Sequence, residues 1–167
     1  VPDRMNAKLK SRTDLAAVCD ELRRQGKRLV FTNGCIDLLH VGHVRYLKAA
    51  RALGDVLVVG LNSDSSVRQL KGDARPLVPE EERAEVLAAL DCVDHLSLFA
   101  ELRPNDLIQA VKPAVHVKGG DYRVEDLPEA PLVRSLGGEV VVVPVVPGRS
   151  TTNLIQRLTE GASAAPT

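Results

Sequence analysis

The chain has 167 residues and a mass of 18.0 kDa, 44% of them hydrophobic and 26% charged, which suits one domain with a sizeable core. Basic and acidic residues each number 22, so no overall field draws a polyanion; with no Trp and only two Phe and two Tyr there is no aromatic ladder for bases, and neither nucleic acid nor membrane is an expected partner. Cys19, Cys35 and Cys92 lack Cys-x-x-Cys spacing, no run approaches the roughly 18 apolar residues of a membrane span, and the first residues hold no signal-peptide core, so the expected setting is the reducing cytoplasm.

Residues 1–12 read as an N-terminal arm, 13–159 as the domain and 160–167 as a disordered tail. Ser11 or Thr13 can cap a helix whose apolar residues Leu15, Val18 and Leu22 recur at helical spacing and which Gly26 ends. An apolar run from Leu29 to Phe31 predicts the first strand, Asn33-Gly34 a turn, and Val41 to Leu53 a second helix. Further strands are expected at Val56 to Leu61, Val93 to Leu98, Val115 to Lys118 and Glu139 to Val143. Between them helices are signalled by Pro79 with its acidic first turn, by Pro104 before DLIQAV, and by a weaker segment from Val124 to Leu136. Val-rich strands alternating with helices predict an α/β fold, a single doubly wound, Rossmann-like domain with a parallel sheet of about five strands. Ligands then sit beyond the carboxyl ends of the strands.

The loop after the first strand reads Thr32-Asn33-Gly34-Cys35-Ile36-Asp37-Leu38-Leu39-His40-Val41-Gly42-His43. Two histidines three apart share one helical face at a helix mouth, where free N–H groups and a partial positive charge favour an anion. Gly42 lets phosphate oxygens approach the backbone. The plain alternative is a capping histidine and a satisfied core histidine. A metal reading would recruit Cys35 as third ligand, but Cys35 more readily packs as a small hydrophobe, and no metal ligands are assigned.

NGCIDLLHVGHVRYL resembles the signature of the His-x-Gly-His nucleotidyltransferase superfamily. Gly60-Leu61-Asn62-Ser63-Asp64, Leu70-Lys71-Gly72 with Arg75-Pro76, Val117-Lys118-Gly119-Gly120-Asp121-Tyr122 and Gly148-Arg149-Ser150-Thr151-Thr152 narrow the resemblance. Together they are similar to the adenylyltransferase domain of the bifunctional heptose enzymes, from about Thr13 to Leu158. The resemblance implies transfer of AMP from ATP, as its Mg²⁺ complex, to heptose 1-phosphate. It gives His40, His43 and Lys71 catalytic roles at the phosphates, with Lys71 on a flexible loop able to close over substrate. It directs Arg83 at the phosphates, although helix PEEERAEV offers Arg83 ordinary intrahelical pairs. Thr32, Asn33, Gly34, Cys35, Asp37 and Gly42 are expected to line the nucleotide site, with Lys118, Gly119 and Asp121 at base and ribose and Ser150, Thr151 and Thr152 at the triphosphate.

Asp64 reads as a helix cap, and His95 and His116 as structural. Ile36, Arg103-Pro104 and Leu127-Pro128-Glu129-Ala130 depart from the family pattern, the last where an acceptor pocket could lie. The rival readings are a cytidylyltransferase acting on glycerol 3-phosphate or a similar alcohol, and a non-catalytic nucleotide-binding module. The resemblance also implies a separate sugar kinase upstream and leaves a homodimer open.

Overall fold

Every residue of the strand Val56–Asn62 is buried, as a strand covered on both faces requires. This strand, β2, lies beside β1 (Leu29–Gly34) in a computed structural model that describes residues 7–163. With β3 (His95–Phe99), β4 (Val115–Gly119) and β5 (Glu139–Val143) they form one sheet in the order β3-β2-β1-β4-β5, all pairs parallel. The helices between them are α1 (Arg12–Arg24), α2 (Val41–Arg51), α3 (Asp64–Lys71), α4 (Glu80–Ala88), α5 (Asn105–Val111), α6 (Ala130–Ser135) and α7 (Thr151–Ser163), with a 3₁₀ turn at Val124–Asp126.

The period of two along each strand divides the core into two layers. Val30, Leu57, Val59 and Leu61 pack with Leu47 of α2 and Leu87 of α4. Phe31, Val56 and Val58 pack on the other face with Leu15 of α1 and Leu107 and Ile108 of α5. Burying each such Leu or Phe contributes about 1.5–3 kcal/mol, so both helical layers are bound to the sheet. The doubly wound α/β fold predicted from the sequence is thus present. β1 and β4 are neighbours from which the chain departs to opposite sides, the switch point where such sheets bind ligands.

Four local expectations change. Residues 1–6 lie outside the described residues, but the rest of the expected arm is tied down: Leu9 bridges to Leu96, and the Lys10 N–H donates to the Leu96 carbonyl at 2.9 Å. β3 begins at His95 rather than Val93, because the Asp94 carboxylate is occupied by the Leu57 N–H at 2.8 Å and Arg51 Nε at 2.9 Å. Ser63, not Asp64, caps α3, its hydroxyl accepting from the Ser66 N–H. α7 continues to Ser163, past the expected tail boundary, while residues 164–167 lie outside the described residues. No helix among the described residues is long and apolar enough to cross a membrane.

Candidate active site

The cradle is built at the start of α2. His40 takes the extended conformation of an N-cap, and its Nδ1 accepts from the Gly42 N–H at 3.0 Å. His43 Nδ1 accepts in turn from the His40 N–H at 3.2 Å, so two imidazoles satisfy two backbone donors that a helix start leaves free. The rings lie 4.0 Å apart, tilted by 36°. Burial lowers the affinity of His43 for a proton, helped by His40, to a pKa of about 4; burial and the Arg149 charge lower that of His40. Both rings are therefore neutral near pH 7. Because each Nδ1 accepts a hydrogen bond, the network assigns the proton of each ring to Nε2. The pair offers two N–H donors without net charge.

Both rings line a cavity of about 340 Å³ at the carboxyl ends of β1 and β4. Thr32 to Asp37 at the end of β1, Gly42 in α2, and Lys118 and Gly119 at the end of β4 line its floor and walls. Ser150, Thr151 and Thr152 contribute from the start of α7, where the Ser150 hydroxyl accepts from the Asn153 N–H at 3.0 Å and the Thr151 hydroxyl donates to the Leu38 carbonyl at 3.1 Å. Thr32 stitches the switch point shut: its buried hydroxyl contacts the Val117 carbonyl at 3.0 Å and the Tyr46 hydroxyl at 2.6 Å. The Asn33 amide oxygen is buried with no hydrogen-bond partner among the described residues, a state a ligand donor relieves.

A methyl group at Gly42 would stand 2.7–2.8 Å from the His40 ring, so the cradle closes only around a glycine.

Two of the expected site residues lie elsewhere. Arg83 is 2% exposed and does not line the cavity. Its guanidinium donates to the carbonyls of Val78 at 2.9 Å, Cys35 at 2.6 Å and Asn62 at 2.8 Å, and to the Asp64 carboxylate at 2.7 Å. It holds the floor from below. Asp121 is exposed and outside the cavity lining.

Asp37 does line the cavity, and its carboxylate faces protein donors: the Leu77 and Val78 N–H groups at 2.9 Å and Arg75 Nε at 2.6 Å. Burial pulls its pKa upward, but these hydrogen bonds outweigh burial and hold it below the usual carboxylate value. Lys71 is the exposed last residue of α3, not a loop residue, and the loop behind it is fastened by Asp37. Lys118 lines the cavity with its Nζ 3.3 Å from Glu129. Cys35 lines it too, its thiol pKa raised by burial, so it is a thiol at neutral pH.

Arg75, Arg149 and Tyr46 also line the cavity. Arg75-Pro76 and Arg149 stood within the quoted segments, and an arginine directly before a Ser-Thr-Thr helix start is itself a phosphate-site signal. Tyr46 follows from helical spacing, three residues after His43. The donor set does not fit a resident metal: among the described residues no group of three or more His, Cys, Asp or Glu could hold one, and the Asp37 carboxylate is already occupied.

A parallel sheet with a switch-point cavity, neutral imidazole donors at one helix start and hydroxyls at another define a nucleotidyltransferase domain. The chain belongs to the cytidylyltransferase-like family, whose profile matches residues 31–157. It is 55% identical over 155 residues to the bifunctional protein HldE of Pelobacter propionicus, covering 93% of this chain and 32% of that protein. Against HldE of Geobacter sulfurreducens it is 54% identical, covering 92% and 31%. The chain thus spans about a third of the length of these relatives. Among solved structures, a lipopolysaccharide core biosynthesis protein from Thermoplasma volcanium is 32% identical with a TM-score of 0.59, covering 72% of this chain and 98% of that one. A pantoate-beta-alanine ligase from Francisella tularensis shares the fold, at 16% identity and a TM-score of 0.57.

Proposed function

We propose that this chain is the adenylyltransferase that makes ADP-heptose and pyrophosphate from ATP and heptose 1-phosphate. The observation that carries this reading is identity above half with HldE proteins along more than nine-tenths of the chain, which includes the cradle. An oxygen of the sugar phosphate attacks the α-phosphorus in line, and the bond from that phosphorus to the bridging oxygen breaks. The electron pair leaves with pyrophosphate. The attacking phosphate is already ionised, so no base is needed, and the work is alignment and charge stabilisation. The Nε2–H donors of His40 and His43 serve the α-phosphoryl oxygens, where charge spreads in the transition state. The hydroxyls and free N–H groups at Ser150–Thr152 serve the leaving phosphates, and Lys71 serves the α-phosphoryl group.

Magnesium belongs to the substrate as the ATP complex, consistent with a cavity that supplies no carboxylate set. A sugar kinase activity, on the same polypeptide or another, must supply the acceptor. The reduced thiols and the use of ATP favour the cytoplasm.

The test is pyrophosphate release with each of ATP, CTP, GTP and UTP against heptose 1-phosphate and glycerol 3-phosphate. Release confined to ATP with heptose 1-phosphate is expected. Release with CTP and glycerol 3-phosphate would transfer the assignment to the cytidylyltransferase reading, and nucleotide binding without release on any acceptor would favour a binding module.

A further inference from the structure

We infer that Arg75 binds the phosphate of the acceptor, and that Asp37 is the residue that positions it. The inference rests on the transferase reading above and names the subsite within it.

Arg75 reaches the cavity from the loop after α3. Its side chain is 15% exposed, and Nε alone is engaged, by Asp37 at 2.6 Å. The two terminal guanidinium nitrogens have no hydrogen-bond partner among the described residues. Asp37 is 1% exposed in its side chain and fixed by two backbone N–H groups, so it cannot turn away to follow a mobile arginine. A guanidinium held at Nε by a fixed carboxylate presents its remaining edge as a rigid two-pronged donor, the geometry that fits a phosphate.

Placement decides which phosphate. Arg149 and Ser150–Thr152 come to the cavity from the loop after β5 and the start of α7, where Thr151 bonds the Leu38 carbonyl and Arg149 lies against Gly42, whereas Arg75 comes from the loop after α3 and is held at Asp37. In-line displacement puts attacking and leaving oxygens on opposite sides of the α-phosphorus. With pyrophosphate leaving toward the start of α7, the attacking phosphate is assigned to the loop that carries Arg75. Arg75 also offsets the repulsion between two anions that must meet.

The experiment is steady-state kinetics of wild type, Arg75→Gln, Arg75→Lys and Asp37→Asn, varying heptose 1-phosphate and ATP separately, with ATP binding titrated and thermal melts confirming the fold. Arg75→Gln should raise KM for heptose 1-phosphate about 10- to 100-fold, the range for a hydrogen-bonded charge pair, while KM and Kd for ATP stay within about two-fold. Arg75→Lys, which keeps the charge but not the fork, should recover part of the loss. Asp37→Asn should resemble Arg75→Lys, a split in KM that mere loosening of the loop would not produce. An ATP Kd weakened tenfold or more in Arg75→Gln, or an unchanged acceptor KM, would overturn the assignment. If wild type fails to turn over heptose 1-phosphate, the functional reading falls, whereas ATP affinity in Arg75→Gln still decides which phosphate Arg75 serves.

Discussion

Replacing His43 with Ala removes two things that the structure separates. One is the Nδ1 acceptor for the His40 N–H at 3.2 Å, a helix-start contact worth about 1 kcal/mol. The other is the Nε2–H donor of a ring that lines the cavity. A donor aimed at developing transition-state charge is worth about 10²–10³ in kcat, about 2.7–4 kcal/mol on the activation barrier. The expected result is a melting temperature lowered by at most a few degrees beside a kcat lowered by two to three orders of magnitude, read as pyrophosphate release at saturating ATP. His43→Asn separates the two roles further, because its side-chain oxygen can still accept from the His40 N–H while its shorter amide falls short of the phosphate. It should regain stability without regaining turnover. A His43→Ala enzyme that kept kcat within about threefold would refute the donor role.

Gly42→Ala places a methyl 2.7–2.8 Å from the His40 ring on a helix that otherwise gains up to about 1 kcal/mol from Ala over Gly; turnover should fall at least about tenfold with little loss of melting temperature, and equal losses in both would contradict the cradle geometry. Arg83→Met leaves three carbonyls and the Asp64 carboxylate without their donor and should cost about 3–5 kcal/mol, seen as a melting temperature lower by about 10 °C; unchanged stability with weakened ATP binding would return Arg83 to the phosphates. His116→Leu should flatten the acid side of the stability curve. His116 is fully buried, neither ring nitrogen has a partner among the described residues, and burial depresses its pKa from 6.5 to about 4. A folded pKa below the unfolded one means stability complete above pH 6.5 and lost as pH falls toward 4. At pH 5 that loss is about 2 kcal/mol, so urea unfolding at pH 7 and pH 5 should show the variant losing about that much less than wild type.

The strands were legible because Val and Leu runs admit few other readings in a chain with so few aromatics, and the cradle because His40, Gly42 and His43 are contiguous in sequence. What escaped depends on long closures. Asp37 meets the backbone of Leu77 and Val78 across about forty residues, and nothing in either segment announces the other. Arg83 misled for a related reason. The acidic run Glu80 to Glu82 suggests a solvated helix, yet Arg83 lies four residues before the buried Leu87 and shares its face. That periodicity was available, and an arginine on an apolar face is a buried donor awaiting carbonyls. Asp64 was misplaced by one residue: Ser63 takes the cap, which frees Asp64 to pair with Arg83 at 2.7 Å.

Why the proposed phosphate site should rely on neutral histidines follows from the charges around it. Lys71, Arg75, Lys118 and Arg149 all line the cavity, whereas Asp37 is the carboxylate among its lining residues and is bound to Arg75. A field of that sign attracts a triphosphate in a chain with no net charge, and it also opposes a proton on His40, beside Arg149. A neutral Nε2–H is then a donor whose presence does not change across physiological pH, unlike an imidazolium that would be half lost near 6.5. The reasoning gives an outcome that nitrogen-15 NMR of the free protein can check: His40 and His43 should both show the Nε2–H form at pH 7, and His43 should remain neutral until about pH 4. Removing the neighbouring charge by Arg149→Gln should move the His40 midpoint upward and leave His116, which lies outside the cavity, unmoved. A His43 that titrates near 6.5 would mean that the cradle binds phosphate by charge, an Nδ1–H form in either ring would leave its Nε2 with no proton to donate, and either result would end the two-donor account of the site.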